Sequence, residues 1–210
     1  MIQKNQQHNN SDYLSDKSNL ISWAQKNKQE RNGKISEIIP NLLFLGNKFA
    51  SKDLGLLKNL KIKCIVNIGG GKPAFQQEFE YLKNGTLDNE NANIKEFLGV
   101  SFEFIREKLE KNQPVFVHCQ QGINRSPSVV IGFLVNYFGF QVQEGLEYVR
   151  LLRPKVCPRE QFIQQIEEFS KEFQDKQKGN QDKEKQNQDV QNENKKEMNR
   201  NDKNNQQENK

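Results

Sequence analysis

The chain has 210 residues, of which 33% are apolar and 28% are charged. Residues 1–34 contain 8 apolar residues, residues 35–172 contain 59 and residues 173–210 contain 3. Only the middle segment can bury a core, so we expect one folded domain at 35–172 between two polar extensions. That segment has 17 Lys and Arg against 16 Asp and Glu, and this near-neutral balance argues against a nucleic-acid-binding domain.

The first residues and the cysteines indicate the compartment. Met1-Ile2-Gln3-Lys4 lacks the apolar stretch of a signal peptide, and no apolar run approaches the roughly 18 residues that span a bilayer. Three cysteines without close spacing (Cys64, Cys119 and Cys157) predict neither a disulfide scaffold nor a zinc site. We therefore expect a protein of the cytoplasm or nucleus that has no membrane contact.

Each polar extension has one distinguishing feature. In the N-terminal extension, an apolar cluster predicts a short helix within residues 12–30 that docks on the domain, because a lone Trp usually finds a burial site. A partner-binding segment is the alternative. The C-terminal extension has 17 Asn and Gln among residues 173–210 with interleaved charges, which predicts a disordered tail. The N-terminal cluster consists of Tyr13, Leu14, Leu20, Ile21 and Trp23.

Within the domain, the apolar pattern alternates between strand-like and helix-like segments. Residues 127–138 are apolar on nearly every side, which is typical of a buried central helix. The alternation predicts an α/β fold with a central, mostly parallel sheet flanked by helices. The predicted strands are 42–45, 61–68 (followed by a Gly69-Gly70-Gly71 loop) and 115–117, and the predicted helices are 100–111, 127–138, 143–152 and 159–172.

The strand at 115–117 leads directly into His118-Cys119-Gln120-Gln121-Gly122-Ile123-Asn124-Arg125-Ser126 and then into the buried helix. A loop between a strand and a helix N-terminus presents unpaired N–H groups, which makes it a ready phosphate site. Gly122 allows the loop to curl so that its N–H groups converge. We therefore expect a phosphate-binding loop between a core strand and a buried helix.

Three side chains of this loop supply chemistry. The thiolate of Cys119 is stabilised in the electropositive loop and is the nucleophilic form of the residue. The guanidinium of Arg125 can donate two parallel hydrogen bonds to phosphoryl oxygens. The Ser126 hydroxyl can donate to the sulfur, which stabilises the thiolate as a nucleophile and as a leaving group.

The segment resembles the C-x5-R signature of the protein tyrosine phosphatase superfamily, in the form H-C-x-x-G-x-x-R-S. Two further segments narrow the resemblance to the small atypical dual-specificity phosphatases. Ile39-Pro40-Asn41-Leu42-Leu43-Phe44-Leu45-Gly46 is similar to their opening strand, and Arg153-Pro154-x-x-x-Pro158-x-x-x-Phe162 to their C-terminal element. The chain departs from the family pattern at Gln121, Asn124 and Arg159, where a small residue, Ser and Asn are usual.

The resemblance implies a phosphocysteine mechanism in which the loop residues Gln120, Gln121, Gly122, Ile123, Asn124 and Arg125 bind the phosphoryl group. It also implies that His118 orders the loop and that an Asp about thirty residues before the cysteine is the general acid. Asp88, 31 residues upstream of Cys119, is the candidate, with Glu90 as the substitute. Asn84-Gly85, in a stretch where the family has an apolar strand, predicts a turn just before it.

The variable positions of the loop also favour some classes of phosphorylated substrate over others. The variable loop positions are uncharged, which disfavours phosphoinositides, so we expect a protein substrate carrying phosphotyrosine or phosphoserine/threonine. A pseudophosphatase that only binds phosphoproteins and an RNA 5′-phosphatase are the alternatives. We expect neither a metal nor another cofactor, and the sequence leaves the oligomeric state open. Cys64 is expected to pack in the core, with a disulfide to Cys119 as the alternative.

Overall fold

The computed structural model describes residues 16–27 and 33–176. Residues 1–15, including Tyr13 and Leu14 of the N-terminal cluster, lie outside the described residues, and so does the C-terminal extension beyond residue 176. The described residues up to Ser170 belong to one compact unit, and beyond it only residues 171–176 are described.

The sheet has five strands in the order β1-β2-β5-β3-β4. Strand β1 is antiparallel to β2, whereas the β2–β5, β5–β3 and β3–β4 pairs are parallel, which confirms the predicted mostly parallel sheet. The strands are β1 (Ile35–Ile39), β2 (Leu43–Asn47), β3 (Cys64–Asn67), β4 (Glu80–Lys83) and β5 (Val115–Cys119).

Six helices accompany the sheet in the described residues. Helix α3 begins five residues before its predicted start, and α6 runs four residues beyond its predicted end at residue 172. The helices are α1 (Lys17–Lys26), α2 (Leu54–Asn59), α3 (Lys95–Glu110), α4 (Arg125–Phe138), α5 (Val142–Leu152) and α6 (160–176), and a single 3-10 turn covers Ala50–Lys52.

The central strand β5 is buried on both faces, as the continuous apolar run predicts. Val115 and Val117 face the larger apolar cluster, which includes buried residues of α1, α3, α4 and α5. Phe116 faces a smaller cluster that contains Leu57 of α2. Because side chains alternate along a strand, Cys119 falls on the same face as Val117, beneath the start of α4.

The carboxyl ends of three parallel strands meet at one edge of the sheet. Asn47 at the end of β2 pairs with Cys119, and Asn67 at the end of β3 pairs with His118. Ligand sites of open α/β sheets lie outside the carboxyl ends of their strands, so this edge is where a functional site is expected. Among the described residues, no helix is long and apolar enough to cross a membrane.

Helix α1 packs against the domain through one apolar face. Asp16 caps it by accepting a hydrogen bond from the Ser18 N–H at 2.8 Å. Leu20 and Ala24, four residues apart on one face, are fully buried, and Trp23 is partly buried against the same core. Lys17 forms a 2.9 Å ion pair with Glu144 of α5. The main anchors are therefore Leu20 and Ala24, with Trp23 at the margin.

We expect Leu20→Ala to lower the free energy of unfolding by about 2–5 kcal/mol, because it leaves a cavity in a fully buried site. Urea unfolding of the full chain measures the loss. The control is Gln25→Ala, an exposed position of the same helix, which should leave stability within about 0.5 kcal/mol of the original. Equal stability of the Leu20→Ala and Gln25→Ala chains would show that α1 does not contribute to the folded core.

Candidate active site

The loop between β5 and α4 closes around a glycine. Gly122 has φ +67°, in the left-handed region that favours glycine. A Cβ at this position would lie 2.4 Å from the Gly46 carbonyl oxygen at the neighbouring strand end. Both the backbone conformation and the lack of space therefore require glycine where the loop turns over the end of the sheet.

The thiol of Cys119 lies at the floor of this loop. Its Sγ accepts hydrogen bonds from the Gly122 N–H and the Ser126 hydroxyl, each at 3.2 Å. Ser126 is fully buried in the first turn of α4, so its hydroxyl is held toward the sulfur. The structure thus places the Ser126 hydroxyl against the Cys119 sulfur, which accepts two hydrogen bonds at the floor of the loop.

Arg125, the first residue of α4, connects the loop to the segment after β4. Its side chain is buried, and its Nη1 donates to the Thr86 carbonyl oxygen at 2.8 Å. Its Nε lies 3.1 Å from Asp88 Oδ2, an ion-pair distance, although the N–H is not aligned for a hydrogen bond. The guanidinium is therefore oriented by Thr86 and faces Asp88 across the cleft.

The structure brings Asp88 into the site. Its Oδ1 accepts a hydrogen bond from Asn124 Nδ2 at 2.6 Å and lies 3.4 Å from Arg159 Nε. Asn124 Oδ1 in turn accepts the Arg159 backbone N–H at 2.8 Å. Asn124 and Arg159, two positions at which the chain departs from the family pattern, thus contact each other and Asp88. Glu90 is exposed, and in residues 16–27 and 33–176 it forms no ion pair.

The segment that carries Asp88 begins as an extension of the sheet. Asn84 N–H donates to the Asn67 carbonyl oxygen, and the Asn84 carbonyl accepts from Gly70 N–H. The prediction of a turn at Asn84-Gly85 was wrong, because these strand-like bonds to the loop after β3 keep the backbone extended. The extension carries Thr86 and Asp88 along the sheet edge to the cysteine.

The cleft above Cys119 collects most of the residues predicted to bind substrate. Asp88 and Arg159 line one side, and Gly122 shapes the loop from within. Among the described residues, no group of three or more His, Cys, Asp and Glu is arranged to hold a metal ion. The lining residues are Asp88, Cys119, Gln120, Gln121, Ile123, Asn124, Arg125, Cys157 and Arg159.

His118 is buried at the end of β5 and stacks on Phe116, with 5.4 Å between ring centroids. Burial lowers the pKa of His118 to about 4, against a smaller opposing hydrogen bond between its Nδ1 and the Cys119 carbonyl oxygen at 3.3 Å. The imidazole is therefore neutral near pH 7. A neutral ring hydrogen-bonded to the loop backbone fits the predicted ordering role.

Arg153 supports the loop from below, a role that the sequence analysis did not assign. Arg153 is 2% exposed, its Nε donates to the Gly122 carbonyl oxygen at 2.9 Å and its Nη1 to the Gly33 carbonyl oxygen at 3.0 Å. Burial lowers the pKa of Arg153 to about 10, against a smaller opposing effect of Cys119. The Arg153-Pro154 motif is visible in the sequence, but only the hydrogen bond to Gly122 in the folded chain shows that Arg153 supports the loop.

Cys64 lies at the opposite end of the sheet from Cys119. It begins β3 and pairs with Val115, four residues before Cys119 along β5. At about 3.3 Å per residue the two cysteines are roughly 13 Å apart, too far for a disulfide in this fold. The alternative of a protective disulfide between them is therefore wrong, and Cys64 packs in the core as expected.

Comparison with known proteins identifies the domain. Residues 43–172 match the family described as "Dual specificity phosphatase, catalytic domain". Dual specificity protein phosphatase 19 of mouse is 35% identical over 130 residues, which cover 61% of this chain and 59% of that protein. Dual specificity protein phosphatase 1 of Arabidopsis thaliana is 27% identical over 139 residues, which cover 66% of this chain and 70% of that protein.

A solved structure has the same fold. The crystal structure of the human tyrosine phosphatase-like serine/threonine/tyrosine-interacting protein superposes with a TM-score of 0.63 and 31% identity. The match covers 66% of this chain and 97% of the human one. The likeness therefore spans the α/β unit that carries the cleft.

The buried His118 predicts a pH dependence of stability. Its pKa is about 4 in the folded chain and about 6.5 when unfolded, so the unfolded state binds the extra proton between these values. Stability should therefore fall by up to about 3 kcal/mol as pH drops from 6.5 toward 4. Urea unfolding of the original chain and of His118→Gln between pH 7 and 4.5 measures it. We expect a shallower fall in His118→Gln, and parallel curves would contradict the assignment.

Proposed function

Since the chain belongs to the dual-specificity phosphatase catalytic-domain family, we propose that it hydrolyses phosphotyrosine and phosphoserine/threonine in proteins through a phosphocysteine intermediate. The observation that carries this proposal is the position of the Cys119 sulfur. It accepts hydrogen bonds from Gly122 and Ser126 at the floor of a cleft that Arg125 and Asp88 also line.

In the first step, the Cys119 thiolate attacks phosphorus, the S–P bond forms and the ester P–O bond breaks. Arg125 and the loop N–H groups stabilise the charge on the equatorial phosphoryl oxygens. Asp88 donates its proton to the departing seryl, threonyl or tyrosyl oxygen. Because the Arg125 Nε faces Asp88 at 3.1 Å without an aligned hydrogen bond, an incoming phosphoryl oxygen can take that donor.

In the second step, water attacks the phosphocysteine, the S–P bond breaks and inorganic phosphate leaves. The Asp88 carboxylate accepts a proton from the attacking water, which returns the acid to its starting state. The Ser126 hydroxyl, 3.2 Å from the sulfur, stabilises the departing thiolate. One residue thus serves as acid and then base, and a second assists the thiolate in both steps.

The lining of the cleft supports a phosphoprotein substrate. The variable loop positions Gln120, Gln121 and Ile123 carry no charge that would select the additional phosphates of a phosphoinositide.

The state of the cysteines supports a location in the cytoplasm or nucleus. All three are free thiols, as is usual in a reducing compartment.

A binding module is the second candidate function. It is favoured by the 31% identity to a human protein described as tyrosine phosphatase-like and as serine/threonine/tyrosine-interacting. Such a module would use the loop to hold a phosphoryl group without turning it over. The chain has all three residues that the enzyme needs: Cys119 and Arg125 line the cleft, and the Ser126 hydroxyl donates to the Cys119 sulfur. The enzyme therefore remains the leading proposal.

Turnover of an activated aryl phosphate tests the enzyme against the module. We expect phosphate release by the full chain at mildly acidic pH and none by Cys119→Ser, because the serine hydroxyl is not ionised as a thiolate is. Cys157→Ser, at the exposed cysteine of the same cleft, is the matched control and should retain turnover. Vanadate binding by the full chain without turnover would instead support the binding module.

The role of Asp88 is tested by leaving groups of different quality. For Asp88→Asn, we expect kcat on an alkyl phosphate to fall about 10²–10⁴-fold, because an alkoxide needs the proton. Turnover of an aryl phosphate with a good leaving group should fall much less. Glu90→Gln, the exposed alternative acid two residues away, is the control. Equal losses on both substrates in Asp88→Asn would reject its role as general acid, and a selective loss in Glu90→Gln would transfer the role.

A further inference from the structure

The two carboxylate oxygens of Asp88 have different surroundings. Oδ1 accepts a hydrogen bond from Asn124 Nδ2 at 2.6 Å and another from Arg159 Nε at 3.4 Å. Oδ2 lies 3.1 Å from Arg125 Nε, but that N–H is not aligned with it. Among the described residues, the aligned side-chain donors to this carboxylate therefore all meet Oδ1.

The side chain of Asn124 is fixed at both of its polar atoms. The residue is buried just before the first residue of α4, and its Oδ1 accepts the Arg159 backbone N–H at 2.8 Å. A backbone N–H can only donate, so the amide oxygen faces Arg159 and the amide nitrogen faces Asp88. Asn124 can therefore only donate to the Asp88 carboxylate.

Arg159 binds the backbone of Asp88 as well as its carboxylate. While Nε donates to Oδ1, Nη2 donates to the Asp88 carbonyl oxygen at 3.3 Å. The Arg159 side chain is 44% exposed, so water weakens the attraction between the two charges. The contribution of Arg159 is therefore mainly geometric, because its two contacts fix the direction in which the carboxylate points.

The residues that follow Asp88 are also bound to helix α6. Gln161 Nε2 donates to the Asn89 carbonyl oxygen at 2.8 Å, and Gln165 Nε2 donates to the Ala92 carbonyl oxygen at 3.1 Å. Arg159, directly before α6, thus belongs to a row of side chains that hold this segment. The position of Asp88 is set by α6 and by the loop after β5 together.

The anchor at Oδ1 is a property of this chain. The family pattern usually has Ser where Asn124 stands and Asn where Arg159 stands. A serine has only a hydroxyl in place of the amide that bridges Asp88 and the Arg159 N–H, and an asparagine has no cation. The two departures meet at one oxygen, so their effects should appear together.

We propose that Asn124 and Arg159 are positioning residues that anchor Oδ1 of Asp88 and thereby assign proton transfer to Oδ2. This inference rests on the proposed function and deepens it. A proton on Oδ1 would face two N–H donors, whereas Oδ2 has no aligned donor, so the acid carries its proton on Oδ2. As the ester P–O bond breaks, this proton passes to the departing oxygen. In the second step, Oδ2 takes a proton from the attacking water.

The test compares kcat/KM for an alkyl phosphate, whose departing oxygen needs the proton, with kcat/KM for an aryl phosphate that has a good leaving group. Asn124→Ala should lower the alkyl value about tenfold, the size of one hydrogen bond to a charged group. Arg159→Ala should lower it about threefold, because its contact is longer and half-exposed. The aryl values should stay nearly unchanged in both variants.

The same substitutions in the Asp88→Asn chain show whether the two residues act through Asp88. An amide has no proton to deliver, so neither substitution should lower the alkyl value further. The matched control is Arg106→Ala on α3, an exposed arginine that pairs with Glu103 and Glu110 near the start of β5. It should keep both the alkyl and the aryl values of the original chain.

Three results would overturn the proposal: an unchanged alkyl value in both variants, equal losses on the two substrates, or losses that persist in the Asp88→Asn chain. Equal losses would mean that Asn124 and Arg159 only support the loop. Absence of aryl phosphate turnover by the original chain would reject the enzyme and this inference with it. Aryl turnover with an unchanged ratio of alkyl to aryl values would reject the inference alone.

Discussion

The site depends on a single close approach, that of the Gly122 backbone to the end of strand β2. The loop can turn over the sheet edge only with a positive φ and with no side chain opposite the Gly46 carbonyl. That turn brings the Gly122 N–H to the Cys119 sulfur, while its carbonyl oxygen accepts the hydrogen bond from Arg153. One residue thus links the Cys119 sulfur to the buried guanidinium of Arg153 on the other side of the loop.

The same junction depends on the burial of helix α4. Eleven consecutive residues of this helix, from Arg125 to Val135, are buried, so its N-terminus has little freedom to move relative to β5. Ser126 and Arg125 occupy its first turn, and their positions relative to the sulfur are set by core packing. Catalytic groups held on a buried helix lose less entropy when substrate binds than groups on a free loop.

Sequence patterns predicted the elements that carry strong periodicity, and they failed where the pattern is weak. Strands β2, β3 and β5 and helices α3 to α6 were all predicted, because each has a clear apolar face or run. Strand β4 was not predicted, because it is a half-exposed edge strand without a clear apolar pattern. Its extension at Asn84 is held by backbone hydrogen bonds to Asn67 and Gly70, which are distant in sequence. The loop at residues 118–126 could be predicted because its residues are contiguous, whereas the contacts of Asp88 with Asn124 and Arg159 join three separate segments.

The charges around the cleft follow from how this fold is assembled. A parallel sheet places the loops after β2, β3 and β5 at one edge, and those loops are free to vary because they carry little of the core. On one flank, Arg159 and Asn124 are bound to Asp88, so the charges there compensate one another. On the other, Lys48 and Lys72 face a cavity beside Cys119 without a carboxylate. The five loop residues between Cys119 and Arg125 are uncharged, so the difference in charge between the two sides of the cleft comes from the flanking segments and not from the loop.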